Sequence, residues 1–543
     1  MSSGREPPVD PGGTMSDHTA AQPEYLGPDP SAPRRSGGGR RAGIFAAAAV
    51  AVLAAMGAGA YGAVQLFAGG SSPASAIPAS AIGYVSLDLD PSASQKIEAI
   101  KIIRKFPALR KAIRLGSRDD VRRRIFDEID KEGHCSQLSY QRDVEPWIGD
   151  RVALAAVPAA HHRIVPLVAL QVRDQDKARA GASRLSSCER SGDPTAVAYV
   201  GDYMLLGERQ PEVDAMARAA TAAPLQDDPG FETWMTRTGD PGILTMYAAR
   251  NAVDVVLRSQ SGWGGRGASG AAAPEDRQLA SAFKDFGGAA GVLRFKDGAV
   301  EAELQAKGLG PAGGPVGTGR GPDVRSLPAS TAAVLSLSFQ KGWLNGYVDQ
   351  LRSTLGAGEV DSALSQAEQQ TGLRLPQDIE TLLGDGLSVS VDSSTDLHAL
   401  ASSPDPSRVA AGIRIKGDAE RIRAVIAKLE AAAGASGDIV KVHSRGDTVV
   451  VGTDGAYLRT LLQSGDLGSS PSFEAAVPEP TRAGAVLFVS FDAGNGWAQR
   501  LADELSDGDP DVKANIAPLD ALGVSGWVDK DKVQHSLLRL TTD

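Results

Sequence analysis

Ile77-Pro78-Ala79-Ser80 leads into an apolar stretch, Tyr84 to Leu89, and Leu327-Pro328-Ala329-Ser330 leads into another, Val334 to Phe339. The same sequence of signals then continues twice. Asp143-Val-Glu-Pro-Trp-Ile-Gly149-Asp150 is answered by Asp378-Ile-Glu-Thr-Leu-Leu-Gly384-Asp385, and an alternating apolar stretch follows each. Gly201-Asp202 before Tyr-Met-Leu-Leu-Gly207 is answered by Gly446-Asp447 before Thr-Val-Val-Val-Gly452. Phe231-Glu232 is matched by Phe473-Glu474, and Gly242 to Tyr247 by Gly484 to Val489. Near the end of each half two apolar stretches turn through Lys296-Asp297-Gly298 or Asp529-Lys530-Asp531. Landmarks kept in one order, displaced by 250 residues at the first and 235 at the second, indicate one unit written twice.

Between the copies lies 308–326, Gly- and Pro-rich in the manner of a flexible linker. Two similar domains are therefore expected, at 73–307 and 327–543, with 259–276 a loop insertion in the first only. Adjacent strand pairs with tight polar turns favour antiparallel pairing. Helical patterns fall between the pairs; Asp418 to Ala433 places Ile422, Val425, Ile426 and Leu429 on one side. The class this predicts is α+β, with helices laid on one face of an antiparallel sheet.

Upstream, Ala42 to Ala68 carries no charge and one strongly polar side chain, Gln65. About 20 apolar residues suffice to cross roughly 30 Å of hydrocarbon, so 42–68 reads as a transmembrane helix. Arg34, Arg35, Arg40 and Arg41 precede it and nothing basic follows until Lys96, which places the N-terminus in the cytoplasm and the bulk outside. The alternative is a cleaved signal peptide with Ala74-Ser75-Ala76 at the cut. Its apolar region would run only about 7–15 residues, so an uncleaved anchor in the cell membrane is expected. The tail 1–41 holds seven prolines and no apolar periodicity, a composition that stays disordered.

Across 543 residues the formal charge is -10, which argues against nucleic-acid partners because phosphate binding needs a basic footprint. Cys135 and Cys188 are the only cysteines, and an extracytoplasmic location would allow them to form one disulfide. Candidate chemistry is thin. Asp88 and Asp90 could offer oxygens to a cation, but Ser86, Asp88 and Asp90 simply alternate with Val85, Leu87 and Leu89, as a strand with one wet face must. Ser338-Phe-Gln-Lys341 matches Ser-x-x-Lys without its partner motifs, and sits at a strand end rather than a helix start. His161-His162 falls in a turn, and no zinc spacing, phosphate loop or nucleophile elbow occurs. No metal, no cofactor and no catalytic residue is expected.

One local bias remains. Lys101, Arg104, Lys105, Arg110, Lys111, Arg114, Arg118, Arg122, Arg123 and Arg124 oppose only Asp119 and Asp120, about 30 residues beyond the apolar run. The bland reading is a solvated face over the sheet; the functional one is contact with anionic lipid or acidic wall polymer. Pro107 should break or kink the helix that carries the first of these cations.

Leu87-Asp-Leu-Asp-Pro-Ser-Ala-Ser-Gln-Lys96 followed by Arg104-Lys-Phe-Pro107 resembles the opening of the DUF3352 proteins, an uncharacterised bacterial family. The resemblance implies a membrane-anchored exported protein and supplies no catalytic residue. Duplication without a catalytic constellation favours a non-enzymatic envelope protein that binds a partner protein, polymer or lipid. A carrier of an apolar ligand, or an envelope hydrolase of no recognisable class, is the alternative.

Overall fold

The structure, a computed structural model, describes residues 72–89, 92–107, 123, 139–186, 195–262, 283–309, 323–395, 409–433, 440–494, 497, 500 and 509–543. The tail 1–41, the run 42–68, Cys135, Cys188, Asp90, most of the linker 308–326 and Arg110, Lys111, Arg114, Arg118, Arg122 and Arg124 lie outside these residues. Among the described residues no helix is long and apolar enough to cross a membrane.

The first half contributes β1 (Gly83–Asp88), β2 (Ile148–Pro158), β3 (Ile164–Val172), β4 (Ala196–Val200), β5 (Tyr203–Gly207), β6 (Leu244–Ala248), β7 (Gly288–Lys296) and β8 (Ala299–Lys307). The second contributes β9 (Thr331–Ser338), β10 (Gly386–Asp392), β11 (Ala411–Lys416), β12 (Lys441–Arg445), β13 (Thr448–Gly452), β14 (Ala485–Ser490), β15 (Leu519–Val528) and β16 (Val533–Thr542). All sixteen join one antiparallel sheet, in the order β12-β13-β11-β10-β9-β14-β15-β16-β8-β7-β6-β1-β2-β3-β5-β4. From its outer edge inward each half follows one connectivity, and the halves meet where β16 pairs with β8. That pairing sets Leu537 opposite Glu303, with Arg539 opposite Glu301 and His535 opposite Gln305 on either side.

The correspondence extends to single hydrogen bonds. Leu225 N–H donates to the Ile77 carbonyl, and Leu467 N–H to that of Leu327. Each leucine opens a short 3-10 turn that leads to a helix with proline in its first turn, where the missing N–H costs nothing. Phe231 then meets Tyr247 edge-to-face at 5.1 Å, and Phe473 meets Phe488 at 5.1 Å. Register corrects the sequence match here. Leu244 and Ala485 occupy equivalent places, opposite Leu87 and Leu337, so aligning Gly242 with Gly484 is one residue out of step.

A second correction concerns the layers. Alternation along a strand sends successive side chains to opposite faces, and here both faces of the sheet are clothed. Helices α1 (Ala93–Lys105) and α2 (Gln175–Ser186) lie on one face, α2 against Leu170, Met204 and Leu206. The other face takes α3 (Gln210–Ala222) and α4 (Pro229–Thr238) against Leu167, Tyr203 and Leu205. The second half repeats this. There α5 (Ala419–Ala433) covers Ile413 and Ile415 on the first face, and α6 (Gly455–Leu461) and α7 (Pro471–Ala476) cover Val450 and Phe488 on the other. Of the four residues its periodicity places on one side of α5, Ile422, Val425 and Ile426 are buried and Leu429 is half-buried.

The two outer edges are blunted. Gln210 uses its side-chain amide like a strand residue, accepting from Val197 N–H (3.0 Å) and donating to the Val197 carbonyl (2.8 Å) on edge strand β4. At the opposite edge β12 presents Lys441 and Arg445, the charges that discourage further pairing.

The Asp-x-Glu motif repeats as an anchor. Buried Asp143 accepts from Ser139 N–H (2.9 Å), from its neighbour Arg142 and from Arg184 on α2 (2.6 Å). Buried Asp378 accepts from Arg374 N–H (3.0 Å), from the Arg374 guanidinium and from Lys428 on α5 (2.7 Å). The hydrogen bond from Arg142, then that from Ser139 N–H, holds the Asp143 carboxyl well below the usual carboxylate range. Lys428, then Arg374 N–H, lowers that of Asp378 from 3.8 to about 2. A carboxyl whose pKa is depressed on folding stabilises the fold above its unfolded value and loses that contribution as pH falls through the folded one. Asp378→Ala should therefore lower stability by about 1–3 kcal/mol at neutral pH. Its difference from wild type should vanish as pH falls from about 4 towards 2; urea melts along that range are the check. An unchanged difference at the acid end would remove the anchor from the account.

Candidate functional site

Two places in the sheet depart from ordinary packing. The first is the seam between the halves. On the face carrying α4 and α7, Arg294 of β7 donates to Glu301 (2.6 Å) and Glu303 (2.7 Å) of β8, and Arg539 of β16 donates to Glu301 (3.0 Å). Glu303 also accepts from Gln305 (2.7 Å), whose amide donates in turn to the Arg237 carbonyl (2.9 Å). Arg294, Glu301, Gln305 and Arg539 are all buried. Burial works against the Arg294 charge, but Glu301 and Glu303 more than offset it and raise the pKa of the guanidinium. Two arginines against two glutamates make a neutral, enclosed lattice, which ties the halves together rather than offering a charge to solvent.

Beside it, His535 stacks on Trp527 at 4.8 Å and reaches Asp529 at 3.2 Å, while Arg482 lies over the Trp527 ring at 5.2 Å. In strand register the Trp527–His535 pair stands where Arg294–Glu301 stands in the first half, so one position carries an ion pair and the other a ring stack. The sequence reading gave none of these residues a place in a site, because seven residues separate Arg294 from Glu301 and 238 separate Glu301 from Arg539.

The second place is on the opposite face. Val389, Leu335, Leu487, Val524, Leu538 and Ala302 stand directly across from one another on β10, β9, β14, β15, β16 and β8. The row continues to Ile413 under α5 at one end and to Leu293 under α1 at the other. Between those helices no layer covers it among the described residues. Val389, Leu335, Leu487, Leu538 and, in the adjoining row, Leu304 are 36–47% exposed. Scattered exposed leucines are ordinary, but a contiguous line of them on a folded sheet marks an interaction surface. The first-half counterparts Leu154, Val85 and Met246 are only half-exposed, so the feature belongs to the second half and the seam. A signal existed in the sequence: β14 reads Ala-Val-Leu-Phe-Val-Ser, apolar on both faces where a strand with one wet face would alternate.

The residues singled out from sequence are dispersed. Asp88 pairs with Arg151 across β1 and β2 at 2.9 Å. Ser338 is buried at the end of β9 and its hydroxyl finds no hydrogen-bond partner among the described residues. His161 and His162 form an exposed turn with φ of 58° and 57°. Of the basic cluster, Lys101 pairs with Glu98 at 2.8 Å, Lys105 donates to the Thr542 carbonyl at 3.1 Å, and Arg104 is exposed, all on α1. As expected of Pro107, α1 stops at Lys105, with Phe106 extended. Asp492, Asp520 and Asp543 bring carboxylate oxygens within 4.8 Å of one another. Asp520 there accepts from Ser472 (2.5 Å) and Thr541 (2.8 Å), and burial, with Asp543 beside it, pushes the Asp492 carboxyl up.

A family model described as "Protein of unknown function (DUF3352)" matches residues 45–451. The chain belongs to the DUF3352 family. The match spans the whole first half and ends inside β13, so it takes in β9 and β10 of the uncovered row but not β14 to β16. No curated protein matches. Two crystal forms of TP0453, III and I, are similar at 12% and 10% identity with a TM-score of 0.20 each. They cover 45% and 44% of this chain and 82% and 80% of that one.

Proposed function

We propose that this chain is a membrane-anchored, extracytoplasmic binding protein without catalytic activity. In this reading the tail 1–41 lies in the cytoplasm and 42–68 spans the cell membrane once. Two copies of one α+β unit, 73–307 and 327–543, stand beyond it. The observation that carries the reading is the uncovered apolar row from Val389 to Ala302, walled by α1 and α5. Leaving leucines in water forgoes about 25 cal/mol for each Å² of apolar surface, a loss that burial against a partner recovers. The shared strand order supports duplication, and at the seam Arg294 and Arg539 share Glu301 while Glu303 holds Arg294.

The test places a photo-crosslinking amino acid at 335 or 487 of the full chain in cells, with Ser362, exposed on the helix Ala357–Thr371, as control position. A discrete adduct at 335 and 487 that is lacking at 362 is the expected result. No adduct at either row position would remove the row as a binding surface. The same row also supports the carrier reading, in which the occupant is an apolar ligand.

A further inference from the structure

We infer that the row seats one extended acyl chain of an anionic amphiphile, its headgroup at α1; this rests on the reading of the row as a binding surface. Three features of the geometry select that occupant.

The first is length. Strands lie about 4.8 Å apart, so the six uncovered positions from Val389 to Ala302 span roughly 24 Å. One leaflet of a bilayer is about 15 Å of hydrocarbon, so a single chain fits along the row with space left for its head.

The second is width. On one side the row is bordered at the seam by Gly526 and Ser536, and on the other by Val300, Leu540, Leu522 and Val489, which are themselves half-buried. The row with Leu304 exposes on the order of 300 Å², against about 800 Å² per partner in a stable protein interface. A second copy of the chain is therefore a poorer match than a thin, flexible hydrocarbon.

The third is charge. At its first-half end the row passes from Ala302 to Leu293, which packs under Ile102 and Ile103 of α1. That helix carries Lys96, Lys101, Arg104 and Lys105 against Glu98 alone. Lys105 is fixed to Thr542 at the end of β16, four residues beyond Leu538, so this cation is anchored to a strand that supplies the row. The α5 end has no comparable excess: its helix balances Arg421, Arg423 and Lys428 with Glu420 and Glu430, and Asp378 already holds Lys428. The anionic head belongs at α1 and the tail runs towards β10.

The experiment uses the full chain in phosphatidylcholine nanodiscs and palmitate carrying a mid-chain diazirine. Photolysis should label peptides containing Leu335, Leu487 or Leu538. Leu335→Thr with Leu487→Thr, at exposed positions that a β-branched residue suits, should reduce that labelling at least tenfold. Lys101→Glu with Arg104→Glu should weaken labelling by the acid severalfold and leave the methyl ester unchanged. Lysophosphatidylglycerol with the same diazirine separates the sources: labelling by both indicates any anionic head, by palmitate alone a free carboxylate. Labelling confined to 42–68, or unchanged in the threonine pair, overturns the inference. If a protein crosslinks at 335 and 487 while palmitate does not label the row, this inference fails and the binding surface stands; if neither occurs, both fail.

Discussion

Glu301→Ala should destabilise the protein by about 3–5 kcal/mol, because it leaves Arg294 and Arg539 facing each other without the carboxylate that bridges them. Both guanidiniums are buried, so neither can turn to water, and Glu303 is already shared between Arg294 and Gln305. The loss should appear in urea melts as a lower midpoint. Because β7, β8 and β16 all touch Glu301, hydrogen exchange should quicken in strands of both halves together. Replacing all four charges at once, Arg294→Met with Glu301→Leu, Glu303→Gln and Arg539→Met, should recover most of the stability, since apolar residues of similar volume commonly equal or exceed a buried ion network and the amide placed at 303 still accepts from Gln305. A Glu301→Ala protein as stable as wild type would show that the lattice is wet and contributes little.

Gly384→Ala is the second large effect, at about 2–4 kcal/mol. Gly384 closes the helix Gln377–Leu383 with φ 62° and ψ -148°, a conformation essentially reserved for glycine. A Cβ there would also drive into the Lys416 carbonyl, which accepts the Asp385 N–H at 2.8 Å and ties the start of β10 to β11. The equivalent Gly149 has an ordinary φ, so alanine meets no backbone strain there, but its Cβ would stand 2.7 Å from Cβ and Cγ of Gln171 and push that side chain off the Asp150 N–H it accepts. Gly149→Ala should therefore cost less than Gly384→Ala, without being neutral. Thermal melts of the two variants make the comparison, and equal losses would refute it. One motif written twice thus carries a strict backbone requirement in one copy and a relaxed one in the other.

Much of the architecture was legible because it is local. Proline-led turns, Gly-Asp hairpins and the Asp-x-Glu anchor are each written within about ten residues, and each reappears in space where the repeat places it. What lay hidden is relational. Helices on both faces escaped notice because strands buried on two sides lose the alternation that marks a wet face. The seam joins residues that look like ordinary surface charges on alternating strands; only the pairing of β8 with β16 brings Glu301 to Arg539. The uncovered row escaped for the opposite reason. Leu335 and Leu487 read as core residues, and nothing local says that a layer is missing above them. The basic run was read as a unit, whereas on α1 Lys101 and Lys105 are engaged with Glu98 and Thr542.

The Leu537–Glu303 pair lies on an approximate twofold axis, because each residue occupies in its own half the place the other occupies in its own. Two identical, separate subunits meeting by that edge would bring like against like: glutamate to glutamate in one case, leucine to leucine in the other. Like charges directly opposite repel, so the first pairing is unfavourable and the second sticky. Joining the copies in one polypeptide removes that constraint of sameness. Glutamate then faces leucine, an arginine–carboxylate bridge needs only one side to supply the acid, and either copy is free to change without its twin. Two separate identical subunits could not bare one apolar row without baring two; halves that differ in sequence can.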